Sequence, residues 1–156
     1  MNVKISLALE NDLEEILTLQ KEAYIQEAEI YKDFSIPPLK QKIESVKEEW
    51  QQGIILKAEI DRKIVGSVRA YMENETCKIG KLIVDPEHQN QGIGKSLVLE
   101  IEKYFLTCKT FELFTGYKSS KNLSLYRKTG YEDFKEEKLS ENIILIYLRK
   151  TNSCII

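Results

Sequence analysis

The period of the apolar positions changes several times along this chain, and each change marks a new element. Val3, Ile5, Leu7 and Leu9 alternate with other residues, which predicts an opening strand over about 3–9. Asn11 then stands three residues before Glu14, the spacing of a capping box in which two side chains satisfy free backbone N–H groups. Leu13, Ile16, Leu17, Gln20 and Tyr24 follow at helical spacing and predict a helix over about 12–31. Ser35-Ile36-Pro37-Pro38 is a second start signal, because proline is tolerated where a helix has no N–H partner to lose. From there Leu39, Ile43, Val46 and Trp50 form one helical face that ends near Gly53.

After Gly53 the residues become β-branched in short runs. Segments 54–60, 64–72 and 76–84 are separated by Asp61-Arg62-Lys63 and Glu73-Asn74-Glu75, which predicts three consecutive antiparallel strands. A helix over about 92–106 is expected to bury Leu97, Val98, Ile101, Tyr104 and Phe105, and 110–115 returns as a strand. A short helix over about 121–128 is closed by Gly130 as a C-terminal cap. Segments 131–134 and 143–148 complete an α/β fold: a mixed, mostly antiparallel central sheet of about six to seven strands covered by about four helices.

Size and charge narrow what such a sheet can do. The 156 residues suit a single domain over about 1–150 with a short tail over 151–156, and no repeat or linker divides them. With 25 acidic against 23 basic residues the net charge is −2, so the basic excess of a nucleic-acid binder is lacking. The longest apolar runs are strand-sized and fall short of the roughly 20 residues that span a bilayer, and Met-Asn-Val-Lys-Ile-Ser lacks the apolar stretch of a secretory signal. The expectation is a soluble, cytoplasmic protein with no nucleic-acid or membrane partner. Three scattered cysteines and the single His88 offer no zinc ligand set, so no metal is expected and the thiols are read as reduced.

The chemistry concentrates in 81–96, Lys-Leu-Ile-Val-Asp-Pro-Glu-His-Gln-Asn-Gln-Gly-Ile-Gly-Lys-Ser. A strand ends at Val84, Asp85-Pro86 breaks it, and a loop with Gly92 and Gly94 opens a helix. The first N–H groups of a helix have no internal partner, and with the helix dipole they form a site for phosphate or pyrophosphate. Gly94-Lys95-Ser96 matches the end of a P-loop, but its first glycine would fall at Gln89; a dinucleotide fingerprint from Gly92 would need a small residue where Leu97 stands.

The spacing that fits is Q-x-x-G-x-G, here Gln89, Gly92 and Gly94 after a strand ending V-x-P, and it resembles the pyrophosphate motif of the GCN5-related N-acetyltransferases (GNAT). Asn122-Leu-Ser-Leu-Tyr126-Arg-Lys-Thr-Gly130-Tyr131 is similar to the N-x-x-x-x-Y-x-x-x-G-[FY] segment of that family, and the order of elements agrees along nearly the whole chain.

That resemblance implies the acyl-CoA N-acyltransferase fold and transfer of an acetyl group from acetyl-CoA to a primary amine of a small molecule. Acetylation of a protein N-terminus or lysine, and a non-catalytic CoA-binding module, are the alternatives. The strand ending Leu82-Ile83-Val84 is expected to splay from its neighbour near Phe114, leaving backbone for the pantetheine arm. The Val84 N–H would meet the acetyl carbonyl and stabilise its oxyanion. Gln89 and Asn90, with the amides of Gln91, Gly92, Ile93, Gly94, Lys95 and Ser96, would hold the cofactor, with Asn122 on the other side. Tyr126 would bind cofactor and protonate the leaving thiolate.

The general base stays open among Glu27, Glu29, Glu73 and a water chain, because the strand before the loop offers only Lys78 and Lys81. His88 is expected at the surface. Tyr24, Tyr31, Phe34 and 36–39 either line an acceptor pocket or seal a core. Exposed C-terminal edges leave room for a homodimer.

Overall fold

The computed structural model describes residues 2–153. Its strands are β1 (Lys4–Leu7), β2 (Ile54–Ile60), β3 (Lys63–Glu73), β4 (Thr76–Val84), β5 (Thr110–Gly116), β6 (Glu132–Ser140) and β7 (Ile143–Thr151). The helices are α1 (Leu13–Tyr31), α2 (Pro37–Lys40), α3 (Ile43–Gln52), α4 (Ile93–Glu102) and α5 (Ser120–Lys128). One seven-stranded sheet runs β1-β2-β3-β4-β5-β7-β6, antiparallel throughout except for the parallel β4–β5 pair. That is the mixed sheet the hydrophobic pattern predicts, with one helix more because the second helical segment is broken.

Each face of the sheet has its own core. Leu97, Val98 and Ile101 of α4 and Leu123 and Tyr126 of α5 pack on Val65, Val68, Ile79, Phe111 and Leu148. On the opposite face Leu13, Ile16 and Leu19 of α1 and Val46 of α3 cover Ile55, Ile64 and Ile83. Burial of a Leu, Ile or Val side chain contributes about 1.5–3 kcal/mol. The three fully buried side chains of α4 therefore outweigh the few tenths of a kcal/mol lost because its N-cap, Gly92, makes no side-chain hydrogen bond.

Several local expectations change. Asn11 does not cap α1; a 3-10 turn over Glu10–Asp12 precedes the helix, and Asp12 Oδ2 accepts from the Leu9 N–H at 2.8 Å. The long second helix breaks at Gln41, whose extended ψ of 137° turns its side chain toward Gln20 and Arg69. α4 stops at Glu102 rather than near 106, so Phe105 is buried but Tyr104 is 42% exposed. β7 runs to Thr151 and Asn152 is buried, its amide donating 2.8 Å to the Cys108 carbonyl. The expected tail thus starts no earlier than residue 153, and 154–156 lie outside the described residues. The exposed C-terminal edge is β6, where Glu132, Asp133, Lys135, Glu136, Glu137 and Lys138 disfavour the edge-to-edge pairing that a dimer there would need. No helix among the described residues is long and apolar enough to cross a membrane.

Candidate active site

β4 and β5 pair only through Thr76–Thr110, Cys77–Phe111 and Lys78–Glu112; beyond Lys78 they diverge. The gap opens into a cleft of about 740 Å³ between the C-terminal half of α1, the end of β4, the first turn of α4 and the start of α5. The divergence has a visible cause in β4. Lys81 takes a left-handed φ of 51°, and the β3–β4 register slips between Ser67 and Arg69, so β4 carries a bulge that bends it away.

The backbone of Val84 faces this gap. In an antiparallel pair successive N–H groups point to opposite edges. The Asp85 N–H bonds the Val65 carbonyl at 2.8 Å toward β3, so the N–H and C=O of Val84 point the other way. Gln89 Nε2 donates to the Val84 carbonyl at 3.3 Å and to Gln26 Oε1 at 3.2 Å, tying the loop to β4 and α1. The carbonyl is satisfied by Gln89, and the N–H faces the gap.

Asp85 shapes the turn that follows, its Oδ1 accepting from the Glu87 N–H at 3.0 Å. Asn90 and Gly92 are left-handed, with φ of 64° and 84°, and bring the chain into α4, whose first turn lines the cleft. Ser96 N–H is already bonded to the Gly92 carbonyl at 3.0 Å, so the unpaired donors of the first turn are those of Ile93, Gly94 and Lys95. Gly94 borders the cleft, and a Cβ added there would meet Leu125 and Val84 at an ordinary 3.5–3.7 Å.

Of the residues expected from the sequence, Leu82, Ile83, Val84, Gln89, Asn90, Gly92, Ile93, Gly94, Lys95 and Asn122 line the cleft. Gln91 is exposed outside that lining. Asn122 projects from α5 and donates 3.3 Å to Thr115 Oγ1 on β5. Tyr126 lies one layer deeper, 5% exposed, with its ring edge-on to Tyr131 at 6.2 Å. Burial, then the nearby Tyr24 and Glu27, hold its hydroxyl well above the ordinary phenol range. The Schellman-type end of α5 fixes it: Gly130 is left-handed and the Tyr131 N–H bonds the Tyr126 carbonyl at 3.0 Å.

The carboxylates separate clearly. Glu73 ends β3 opposite Thr76, at the hairpin, and is not among the lining residues. Glu27 and Glu29 both line the cleft, Glu29 exposed and Glu27 half-buried, with Glu27 Oε2 accepting 2.6 Å from Ser119 Oγ. Tyr24 also lines it, and burial followed by Glu27 pushes its pKa up to about 12. Tyr31 instead seals the end of the cleft: its hydroxyl accepts from the Lys118 N–H at 2.8 Å and packs where any Cβ at Gly116 would stand. Phe34 is 59% exposed, and Ile36 and Leu39 join the small core around Tyr31. His88 borders the cleft, half-buried, rather than standing free at the surface.

Ala23, Gln26 and Ile30 of α1 and Lys118, Ser119, Ser120 and Lys121 before Asn122 also line the cleft and were not singled out from sequence. The α1 set was detectable as a helical stripe beside the core-facing one. The 118–121 wall depends on the short loop after β5 and on where α5 begins, which periodicity does not describe.

Comparison with known proteins agrees with this geometry. The acetyltransferase (GNAT) family profile matches residues 13–131, and the chain belongs to that family. A curated relative, the UPF0157 protein YqkA of Bacillus subtilis (strain 168), is 24% identical over 131 residues, covering 84% of this chain and 38% of that protein. The chain thus spans well under half the length of that relative. The ribosomal-protein-S18-alanine N-acetyltransferase of Escherichia coli shares the fold with a TM-score of 0.80 at 14% identity, covering 97% of this chain and 95% of that one. The PaiA N-acetyltransferase of Thermoplasma acidophilum, solved in complex with coenzyme A, aligns with a TM-score of 0.72 at 20% identity over 97% and 99% of the two chains.

Proposed function

We propose that this protein is an acetyl-CoA-dependent N-acetyltransferase, a single domain that transfers the acetyl group directly to a primary amine of a small molecule. The observation that carries the reading is the pair of backbone features at the two ends of one cleft: the free Val84 N–H facing the gap and the unpaired Ile93, Gly94 and Lys95 N–H groups at the start of α4.

Acetyl-CoA supplies the thioester and, in its pyrophosphate, the anion that suits a helix N-terminus. Ile93, Gly94 and Lys95 hold that anion, with the Lys95 ammonium adding charge beside it. Gln89 keeps the loop against β4, and Asn122 supports the arm from α5. The Val84 N–H donates to the carbonyl oxygen as it takes negative charge. Glu27 takes the proton that the amine must shed before attack, directly or through one water; its tie to Ser119 holds the carboxylate in place. As the C–N bond forms and the C–S bond breaks, Tyr126 gives its proton to the sulfur. A hydroxyl this buried is a weak acid, yet a thiolate formed in the same dry cleft is also destabilised, which narrows the gap between them.

Transfer to a peptide N-terminus is the second reading, favoured by an apolar rim in which Ile30 and Tyr117 are 44% and 40% exposed. Free thiol released from acetyl-CoA across a panel of amines and N-terminal peptides decides between them. Release with small amines at kcat/KM above that for every peptide is the expected result; release with peptides alone selects the second reading, and no acetyl-CoA binding at all overturns both.

A further inference from the structure

On the face of the sheet covered by α1 and α3 lies a second polar cluster, held by elements of which α1 and β4 also wall the cleft. Arg69 of β3 is only 4% exposed and donates to Gln41 Oε1 at 3.1 Å, Glu49 Oε2 at 3.2 Å and Gln20 Oε1 at 2.6 Å. Lys81 Nζ lies 3.4 Å from Glu49 Oε1, and Gln41 also bonds Glu49. Two cations therefore share one carboxylate. The surplus shows in the hydrogen bonds as well, because the Arg69 Nε–H is buried without a partner, which such groups rarely are.

The charges that face this spot come from four directions: Glu27 through Tyr24 on α1, Glu49 on α3, Arg69 on β3 and Lys81 on β4. Tyr24 connects the cluster to the cleft, since it lines the cleft and its hydroxyl feels Glu27, Arg69 and Glu49. Burial, then the repulsion of Arg69, make the Lys81 ammonium easier to deprotonate than an ordinary lysine despite Glu49. Lys81 is also the residue held at φ 51° by the bulge, a conformation that a side chain disfavours and that fixes where this lysine points. It precedes Val84 by three residues, roughly 10 Å of extended strand.

We propose that the acceptor amine also carries a carboxylate, which Lys81 binds with the surplus charge of the Arg69 cluster while the amine end reaches Val84. This rests on the acetyltransferase reading and narrows its substrate class to short amino acids. A carboxylate gains charge-assisted hydrogen bonds there, whereas a second ammonium meets repulsion, so the site selects both for and against.

The test compares three acceptors of one length: 6-aminohexanoate, hexylamine and hexane-1,6-diamine, with phenylalanine and its amide as an α-amino pair. The wild-type protein is expected to prefer the carboxylate member of at least one set by tenfold or more in kcat/KM, with the diamine last. Lys81→Met should bring that ratio close to one, Lys81→Arg should retain most of it, and Glu49→Gln should raise it. The ratio does not depend on the fraction of protein folded, so a merely structural role for the cluster leaves it unmoved. Acetyl-CoA binding with turnover only of amines lacking a carboxylate, or an unchanged ratio in Lys81→Met, overturns this proposal and leaves the acetyltransferase reading standing. Absence of acetyl-CoA binding removes both.

Discussion

The two ends of the β4–β5 pair are built from the same strands and behave in opposite ways. At the closed end Thr76, Cys77 and Lys78 are in register with Thr110, Phe111 and Glu112. Cys77 and Phe111 are core residues, and Lys78 is paired with Glu112. At the open end the pairing stops, Lys81, Asn90 and Gly92 take positive φ, and backbone donors at Val84 and the start of α4 are left without partners. Strained backbone and unspent donors cost stability wherever they occur. The unpaired donors at one end separate it from the part of the sheet whose strand pairing holds the fold.

That contrast breaks most readily at Tyr126. Tyr126→Phe keeps the ring against Tyr131 and removes the hydroxyl, so a proton donor at the sulfur is lost while packing and acetyl-CoA affinity persist. The turnover number should fall roughly 10²- to 10⁴-fold, and the fall should shrink with a thioester of a more acidic thiol. Steady-state kinetics with both donors checks this; undiminished turnover removes Tyr126 from the mechanism and leaves water as the acid.

Gly94→Val comes next. The protein leaves ordinary contact distance around a Cβ at this position, so the fold should hold, but a branched side chain would stand where the first-turn amides meet the anion. Acetyl-CoA affinity should drop by about 10²-fold or more, the loss of one or two charge-assisted hydrogen bonds. Titration calorimetry is the measurement. Normal affinity would show that Gly94 serves only the turn.

The same contrast explains what the sequence could tell. Residues whose position follows from periodicity, such as Leu97, Val98 and Ile101 on α4, were legible because burial imposes a spacing. Gly92 and Gly94 stood out because a helix opening on a strand end leaves free N–H groups, whereas Gln89 and Tyr126 were singled out only through the resemblance of their two segments to the motifs of the family. What the sequence concealed depends on long-range partners. The break at Gln41 is imposed by a buried Arg69 on β3, and the choice of Glu27 over Glu73 depends on which end of the sheet each reaches. The bulge at Lys81 had no sign, since nothing in a lysine advertises a left-handed φ.

A smaller effect is the response of stability to ligand. If the open end is unfinished without acetyl-CoA, ligand at about 100 times its dissociation constant should add roughly 2.7 kcal/mol and raise the melting temperature by several degrees, with no effect of ATP or NAD. A rise with ATP alone would mean the cleft is a nucleotide site. The tyrosines give a companion expectation in pH. With the Tyr24 pKa raised to about 12, the folded protein holds its proton where the unfolded chain, near the ordinary 10.0, loses it. That stabilisation is complete below pH 10 and disappears as pH rises through about 12; with the Tyr126 hydroxyl also held well above the ordinary phenol range, turnover should show no tyrosine-dependent loss with a midpoint near 10. A decline with a midpoint near 10 would mean that an unperturbed tyrosine carries the proton.

The smallest change is expected at the closed end, where Cys77 tests whether the chemistry is as local as the geometry. An acetyl-cysteine route would need an exposed thiolate beside a base. Cys77 is fully buried among Ile79, Phe111 and Leu113, and burial followed by Cys108 and Glu102 drives its thiol far above the ordinary value, so at neutral pH it stays a protonated, unreactive group. Cys77→Ala removes one sulfur from a packed core. The expected loss is about 1 kcal/mol, a few degrees in a domain of this size, with kcat unchanged and no acetylated protein in a mass spectrum taken during turnover. A variant that keeps its fold yet loses turnover would place a covalent step at the wrong end of the strand pair. The geometry argues for the opposite result, because Cys77 stands where β4 and β5 are still paired and not at the gap.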